Sequence, residues 1–363
     1  MESPLLNRRG SALLVVVGVL LLAAGVTAAL LSVTRWRTES GRVLRASARA
    51  EAQAREAVER ALAGWDGASA TALPIGAAAL LEDRRAPAGM GWLDSLQRLD
   101  RVTWLVSSTA ELRRPDGSLT ARAGVAAVVG PEPLPLRHDA AVLSDGPVGL
   151  DGPGGIDGAD TVPDRWVCPP AIRDGAGLRL GPGAAWSGSC PGGSCLLGSP
   201  ALAQETVAVA VPESLLAALG RRPALRIGGI VTGVGPAAAA GGGCGALLNW
   251  GDPGHPDGIC GERFGLVWAA PDTRIEGGVG QGVILGAGRL ELGGGLWFVG
   301  VVAAVGPVLV RDGAIVWGAV LSRAGVLVES GGSIRRSECG AARALLRTGQ
   351  VAPLSGHGWF RRF

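Results

Sequence analysis

Apolar positions follow three patterns along this chain. From Ala12 to Leu31 they form an almost unbroken run without a charge. From Thr38 to about Trp65 they thin to a stripe in which Val43, Ala50, Ala54, Ala57/Val58 and Ala61/Leu62 fall three, four or seven residues apart, as on one face of an α-helix. From about Ala140 onward they come as short runs separated by glycines. About 20 apolar residues cross the ~30 Å hydrocarbon core of a bilayer, so the first run suffices for one crossing. It exceeds the roughly 7–15-residue core of an ordinary secretory signal. No Pro or Gly interrupts Arg42–Ala63, and alanine has the highest helix propensity. Run and stripe together predict one helix from Ser11 to Ala63, on the order of 80 Å long at 1.5 Å per residue, with Gly41 a candidate kink.

Between Asp66 and about His138 the pattern predicts a small α+β region. Trp92-Leu93-Asp94-Ser95-Leu96 reads as a short helix. Val102–Ser107 and Thr120–Val129 have strand composition, and Pro115-Asp116-Gly117 between them is a turn, so the pair predicts a β-hairpin.

The C-terminal part repeats. Gly282, Gly300 and Gly318 are 18 residues apart, and each opens a short strand: Val283-Ile284-Leu285, Val301-Val302-Ala303, Ala319-Val320-Leu321. Second strands follow at Arg289–Leu292, Pro307–Val310 and Val326–Glu329, and third elements at Leu296–Phe298, Ala314–Trp317 and Ser333-Ile334. Three short strands per 18 residues is the rhythm of a triangular parallel β-helix, whose coils stack at ~4.8 Å into one continuous core. The segment Ala141-Val142-Leu143-Ser144 fits the same template, with Val148, Leu150 and Ile156 where Val326, Val328 and Ile334 fall, and Gly177-Leu178-Arg179-Leu180-Gly181 and Leu225-Arg226-Ile227-Gly228-Gly229 match it more weakly. The expected fold is therefore α+β with a large all-β part: a long N-terminal transmembrane helix over 11–65, a small α+β region over 66–138, and a right-handed parallel β-helix over 139–165 and 272–340. An insertion over 166–271 would interrupt it, with a helix at Pro212–Leu219, and 341–363 would cap the last coil. An antiparallel sheet domain with glycine turns is the competing reading of the repeat.

Composition changes the picture in two places. All 34 basic residues are Arg, and the net charge is only +3, which argues against a nucleic-acid footprint. The six cysteines, Cys168, Cys190, Cys195, Cys244, Cys260 and Cys339, all follow the apolar run. An even number in an exported domain points to disulfides, with fifteen connectivities open. Cys244–Cys260, bracketing a turn-rich loop, is the best single pair, and Cys190–Cys195 is also close. Zinc at Cys244, Cys260 and His255 lacks a C-x-x-C spacing.

Chemistry is sparse. The repeat carries Glu291, Asp312 and Glu329 at no common register, so no carboxylate ladder forms. Asp157, Asp160 and Asp164 make the densest acidic cluster, and Asp157 with Asp160 is a weak calcium candidate. The three histidines are scattered, and no serine stands in a G-x-S-x-G context. No catalytic residue, metal or cofactor is expected. Trp297 and Trp317 read as packing between coils rather than sugar platforms, and Trp250 as packing or a contact.

Arg9-Gly10-Ser11-Ala12-Leu13-Leu14-Val15-Val16, the apolar helix, and then Ala50-Glu51-Ala52 through Leu62 resemble the N-terminus of PilX-type minor pilins. Gly280–Leu285, and Ser337-Glu338-Cys339 with Ala341–Leu345, are similar to regions found behind such leaders. The resemblance implies a prepilin-type leader over 1–10, cleavage between Gly10 and Ser11, and N-methylation of Ser11. It also implies a helix packed in the core of a pilus. Major pilins have a glutamate at the fifth mature position, and Val15 stands there, which favours a minor or pseudopilin-like structural subunit over a bulk one. The partners implied are other pilin subunits, pilus assembly proteins and prepilin peptidase. The implied location is the bacterial inner membrane, single-pass, with a periplasmic head. A plain single-span anchor and a signal cut near Ala28 are the alternatives for the N-terminus. For the whole chain the alternative is a membrane-anchored carbohydrate-binding or carbohydrate-degrading β-helix.

Overall fold

The computed structural model describes residues 8–63, 65, 73–80, 92–100, 102–169, 174–188, 195–221, 225–237, 244–245, 249–354 and 359–362. They divide into two compact units, one of residues 1–130 with 353–363, the other of 131–352.

The first unit is built on helix α1 (Arg8–Ala63). The helix runs through Gly41 without a break, and the Arg45 side chain donates to the Gly41 carbonyl at 3.0 Å. Its last turns bury Ala50, Ala54, Ala57 and Val58, the stripe seen in the sequence. An antiparallel sheet covers them, in the order Ala78–Leu80, Trp92–Arg98, Trp104–Arg113, Leu119–Glu132. The small side chains bring helix and sheet close: the Ser108 hydroxyl donates to the Ala54 carbonyl at 2.7 Å. The hairpin turns at Gly117, φ +82°, a conformation that glycine adopts freely.

Two expectations are corrected in this unit. Trp92–Leu96 is not a helix but the start of the strand Trp92–Arg98. Five residues are too few to bury a helical face, Asp94 and Ser95 are poor helix formers, and pairing with Trp104–Arg113 satisfies the backbone instead. The tail does not cap the last coil. Trp359–Arg362 pairs antiparallel with Leu119–Glu132, Trp359 opposite Ala127. There Trp359 packs against Ala54, Ala110 and Val125, with the Arg55 guanidinium 5.3 Å from its ring centre.

The second unit is a β-helix-like stack of parallel strands in three columns. The first column holds the glycine-opened strands Gly265–Ala269, 282–286, 300–304 and 318–322. The second holds Leu290–Gly293, Val308–Val310 and Val326–Glu329. The third runs along 297–299, 315–317 and Ser333–Arg336. Ile284, Val302, Val320, Leu290, Val308, Val326, Phe298, Val316 and Ile334 point inward to one core. The strand-by-strand 18-residue registers are those of the sequence repeat.

The segment 166–271 is not simply an insertion. Ala176–Leu180, Trp186–Gly188, Leu196–Leu197 and Leu202–Gln204 extend the stack beyond coil 140–157. Leu225–Ile227, Ile230–Val234 and Gly265–Ala269 extend it at the opposite end. Long loops between these strands break the 18-residue period, so that in the sequence only Gly177–Gly181 and Leu225–Gly229 match the template, and weakly; both fall on strands of the stack. The winding is therefore permuted. The chain enters at 140, winds to one end near 204, returns to the other end at 225, and winds back until coil 318–336 stacks on coil 140–157.

The first column is buried on both faces, as parallel strands usually are. Its outward side chains Leu143, Val283, Leu285, Val301, Ala303 and Leu321 lie under a second cluster. That cover is supplied by Leu134 and Leu136, by Val209 and Val211, by α2 (Glu213–Gly220) with Leu216 and Leu219, and by α3 (Glu338–Arg347) with Ala341, Ala344 and Leu345. Ser337 caps α3, its hydroxyl accepting from the Gly340 amide at 3.3 Å. Each buried Leu or Val among them contributes about 1.5–3 kcal/mol.

Candidate functional site

The most unusual surface belongs to α1. Every residue from Leu14 to Thr38 is exposed, among them Leu14, Val15, Leu20, Leu21, Leu22, Leu30 and Leu31. The helix is long and apolar enough to cross a membrane. Its few hydroxyls are satisfied within the helix: Thr27 donates to Ala23 O at 2.7 Å, Ser32 to Ala29 O at 2.8 Å and Thr34 to Leu30 O at 2.6 Å. Satisfied hydroxyls leave no polar group to desolvate when such a face enters lipid or packs on another helix. Charge returns with Arg35, Arg37, Glu39, Arg42 and Arg45, and the Glu51–Arg55 pair at 3.0 Å sits one turn before the last buried stripe residues. Gly10 and Ser11, the expected cleavage site, lie in the first turn of the helix.

The cysteines form disulfides: Cys244 joins Cys260 and Cys168 joins Cys339, and Cys195 is also disulfide-bonded. Cys190 lies outside the described residues. The Cys168–Cys339 pair spans 171 residues, and nothing in the sequence spacing points to it. Trp250 is in the core, 1% exposed, edge-on to Phe298 with ring centres 6.5 Å apart.

Asp157 and Asp160 are already engaged. Asp157 accepts from the Ala159 amide at 2.9 Å. Asp160 accepts from the Glu338 amide at 2.8 Å and stands 3.8 Å from the buried Arg336 guanidinium. Among the described residues, no three His, Cys, Asp or Glu side chains come together as metal ligands. His255 pairs with Asp252 at 3.0 Å, and His357 lies outside the described residues.

A cleft of about 350 Å³ opens beside coil 140–157, lined by Leu136, Arg137, His138, Asp139, Arg336 and Glu338. Its charges are spent on one another: Arg137 and Arg179 hold Asp139 at 3.0 and 3.1 Å, and Arg336 holds Glu338 at 2.8 Å. Burial alone would raise the Asp139 carboxyl, but the Arg137 hydrogen bond and the charges of Arg137 and Arg179 outweigh it and hold the group below its ordinary value. A carboxylate held ionised between two arginines is a poor proton donor at neutral pH. On the outer face of the third column, Trp297 and Trp317 are half-buried, and the Arg335 guanidinium lies 5.3 Å from the Trp317 ring centre.

No family model and no curated protein matches the chain. Among solved structures, the competence-associated pilin ComZ from Thermus thermophilus is 13% identical, with 80% of this chain and 87% of that chain covered, at a TM-score of 0.18. A likeness that slight carries no argument about fold or function.

Proposed function

We propose that this chain is a minor pilin or pseudopilin-like structural subunit of a type IV pilus or related secretion filament. One observation carries the reading. A single continuous helix is exposed and apolar over Leu14–Val33, and its last turns are buried under an antiparallel sheet. A plain anchor needs no rigid continuation into a folded unit, whereas a filament subunit does, because helix–helix packing must transmit position to the head. The PilX-like leader resemblance at Arg9–Val16 supports the same reading.

In this proposal prepilin peptidase cuts between Gly10 and Ser11, and Ser11 is N-methylated. The helix waits in the inner membrane with the head in the periplasm. It then packs among other pilin subunits through the pilus assembly proteins. Val15 at the fifth mature position removes the carboxylate that would pair with a neighbour's N-terminus, which suits an accessory place in the filament. The role is structural rather than catalytic, and the mutually paired charges of the cleft beside coil 140–157 accord with that.

Mass spectrometry of the N-terminus of the membrane-bound protein tests the proposal. A mature chain that begins with N-methylated Ser11 is expected. An intact Met1, or a cut near Ala28, would remove the filament reading and leave an anchored or secreted β-helix-like protein, to be examined for carbohydrate binding.

A further inference from the structure

The first and last complete coils of the head are neighbours with no peptide bond between them. Val142 pairs with Val320 and Ser144 with Ser322; Val148–Asp151 pairs with Val326–Glu329, and Gly155–Asp157 with Ser333–Arg335. Across this seam the Asp145 amide donates to Ser322 O at 3.1 Å, the Val326 amide to Pro147 O at 3.0 Å, and the Gly155 amide to Gly332 O at 3.2 Å. Between the coils of 265–336 the chain itself continues from one coil to the next, so neighbours cannot drift apart. At the seam the ladder and the core hold the two sides without that continuity.

A clasp reinforces it just beyond the third column. The Thr161 amide and hydroxyl both donate to Arg336 O, at 3.0 and 2.7 Å, across 175 residues of sequence. The Glu338 amide donates to Asp160. Arg343 donates to the Val167 carbonyl, and its guanidinium lies 5.2 Å from the Trp166 ring centre. Cys168–Cys339 closes the clasp covalently. Cys168 and Cys339 are each half-buried at the surface, as is Cys244, whereas Cys195 and Cys260 are buried at 8% and 6% exposure. Thiol–disulfide exchange requires access to a sulfur, and of the two disulfides with both cysteines described, the one at the seam is the one with neither cysteine buried.

We propose that Cys168–Cys339 is a redox lock on this seam. Oxidised, it keeps coil 140–157 seated on coil 318–336. Reduced, it lets the seam open locally while the continuous coils 265–336 persist. The disulfide closes a loop of 171 residues, and a cross-link over so long a loop removes much of the freedom that opening would release. The reducing step needs a dithiol. Its thiolate attacks one cysteine sulfur and expels the other as a thiolate, which takes up a proton. The second thiol of the reductant then displaces the bound cysteine, leaving two protein thiols and an oxidised, cyclic disulfide reductant. An oxidising exported compartment sets the lock.

Hydrogen exchange read by mass spectrometry tests this on the full-length chain in detergent, in four states: oxidised, treated with dithiothreitol, as Cys168→Ser/Cys339→Ser, and as Cys244→Ser/Cys260→Ser. Opening local to the seam should speed exchange of peptides covering 141–157 and 320–336 by about tenfold or more in the dithiol-treated and Cys168→Ser/Cys339→Ser samples, as expected for sub-global opening. Peptides covering 283–311 should stay protected in both, and the Cys244→Ser/Cys260→Ser chain should keep its seam closed. The proposal is overturned if seam peptides and 283–311 behave alike, whether both stay protected or both lose protection, the latter including a serine pair that does not fold. It is equally overturned if removing Cys244–Cys260 opens the seam as much as removing Cys168–Cys339 does.

Discussion

Gly282, Gly300 and Gly318 sit one above another in the first column, at φ +133°, +142° and +146°. A Cβ on Gly318 would lie 1.8 Å from the Gly300 carbonyl oxygen, and one on Gly300 would lie 1.9 Å from that of Gly282. The clash is with backbone, so no side chain can move to relieve it, and the φ itself is one that L-residues rarely adopt. Gly318→Ala is therefore expected to destabilise the head by about 3 kcal/mol or more, within the upper range for single substitutions. Denaturant unfolding followed by the midpoint at constant slope checks it, and a loss below about 1 kcal/mol would contradict the backbone argument. These glycines were legible because their spacing is regular. The next corner is less so. Gly294, Asp312 and Ser330 are also 18 residues apart and occupy equivalent positions with φ +62°, +50° and +50°, but three different residue types fill this corner, so its left-handed backbone does not show in the residue types.

At the scale of elements, the legible ones are those whose partners lie within one repeat. The hairpin around Gly117, the strands of 282–336 and the helix over the α2 residues all need only local pattern. Matching Val142, Val148, Leu150 and Ile156 to Val320, Val326, Val328 and Ile334 paired residues that turn out to be direct neighbours in the stack. Sequence pattern showed that they were equivalent, not that they touch, because stacking order is a long-range choice. The tail was misread for the same reason: Trp359 and Phe360 make an aromatic pair that fits any apolar edge. The edge they take is that of Leu119–Glu132, where Trp359 covers Ala54, Ala110 and Val125. Alanines leave room that the indole fills, so Trp359→Ala should cost about 2 kcal/mol, below the range for fully buried tryptophan since this ring is half-buried. The loss should fall on the sheet and the end of α1. Thermal unfolding read by proteolysis at 104–132, compared with 283–311, separates that from an effect spread through the whole chain.

For the molecule as a whole, permuted winding has a consequence for folding. Coil 140–157 comes first in the chain, while its neighbour 318–336 follows only after the rest of the stack. Until then coil 140–157 presents an unpaired parallel edge, the kind of surface that invites wrong pairing. Coils within 265–336 find their neighbours about 18 residues away, whereas closing the seam joins segments about 175 residues apart. Loop-closure entropy rises by about 0.6 kcal/mol for each doubling of length, so the seam carries roughly 2 kcal/mol more than a step between continuous coils. That difference is modest in equilibrium terms and larger in kinetic ones, because distant pairing must be reached before any contact repays it. Pulse-labelled hydrogen exchange on the reduced chain, refolding from denaturant in detergent, should show the Leu290, Val305 and Arg311 amides, which bond between continuous coils, protected before those of Asp145, Gly155 and Val326. Simultaneous protection would place the seam within the folding nucleus and remove the kinetic reason for a covalent clasp. Late protection would mean that the first coil in the chain is the last to be seated, and that the disulfide fixes the stack only once all of it is in place.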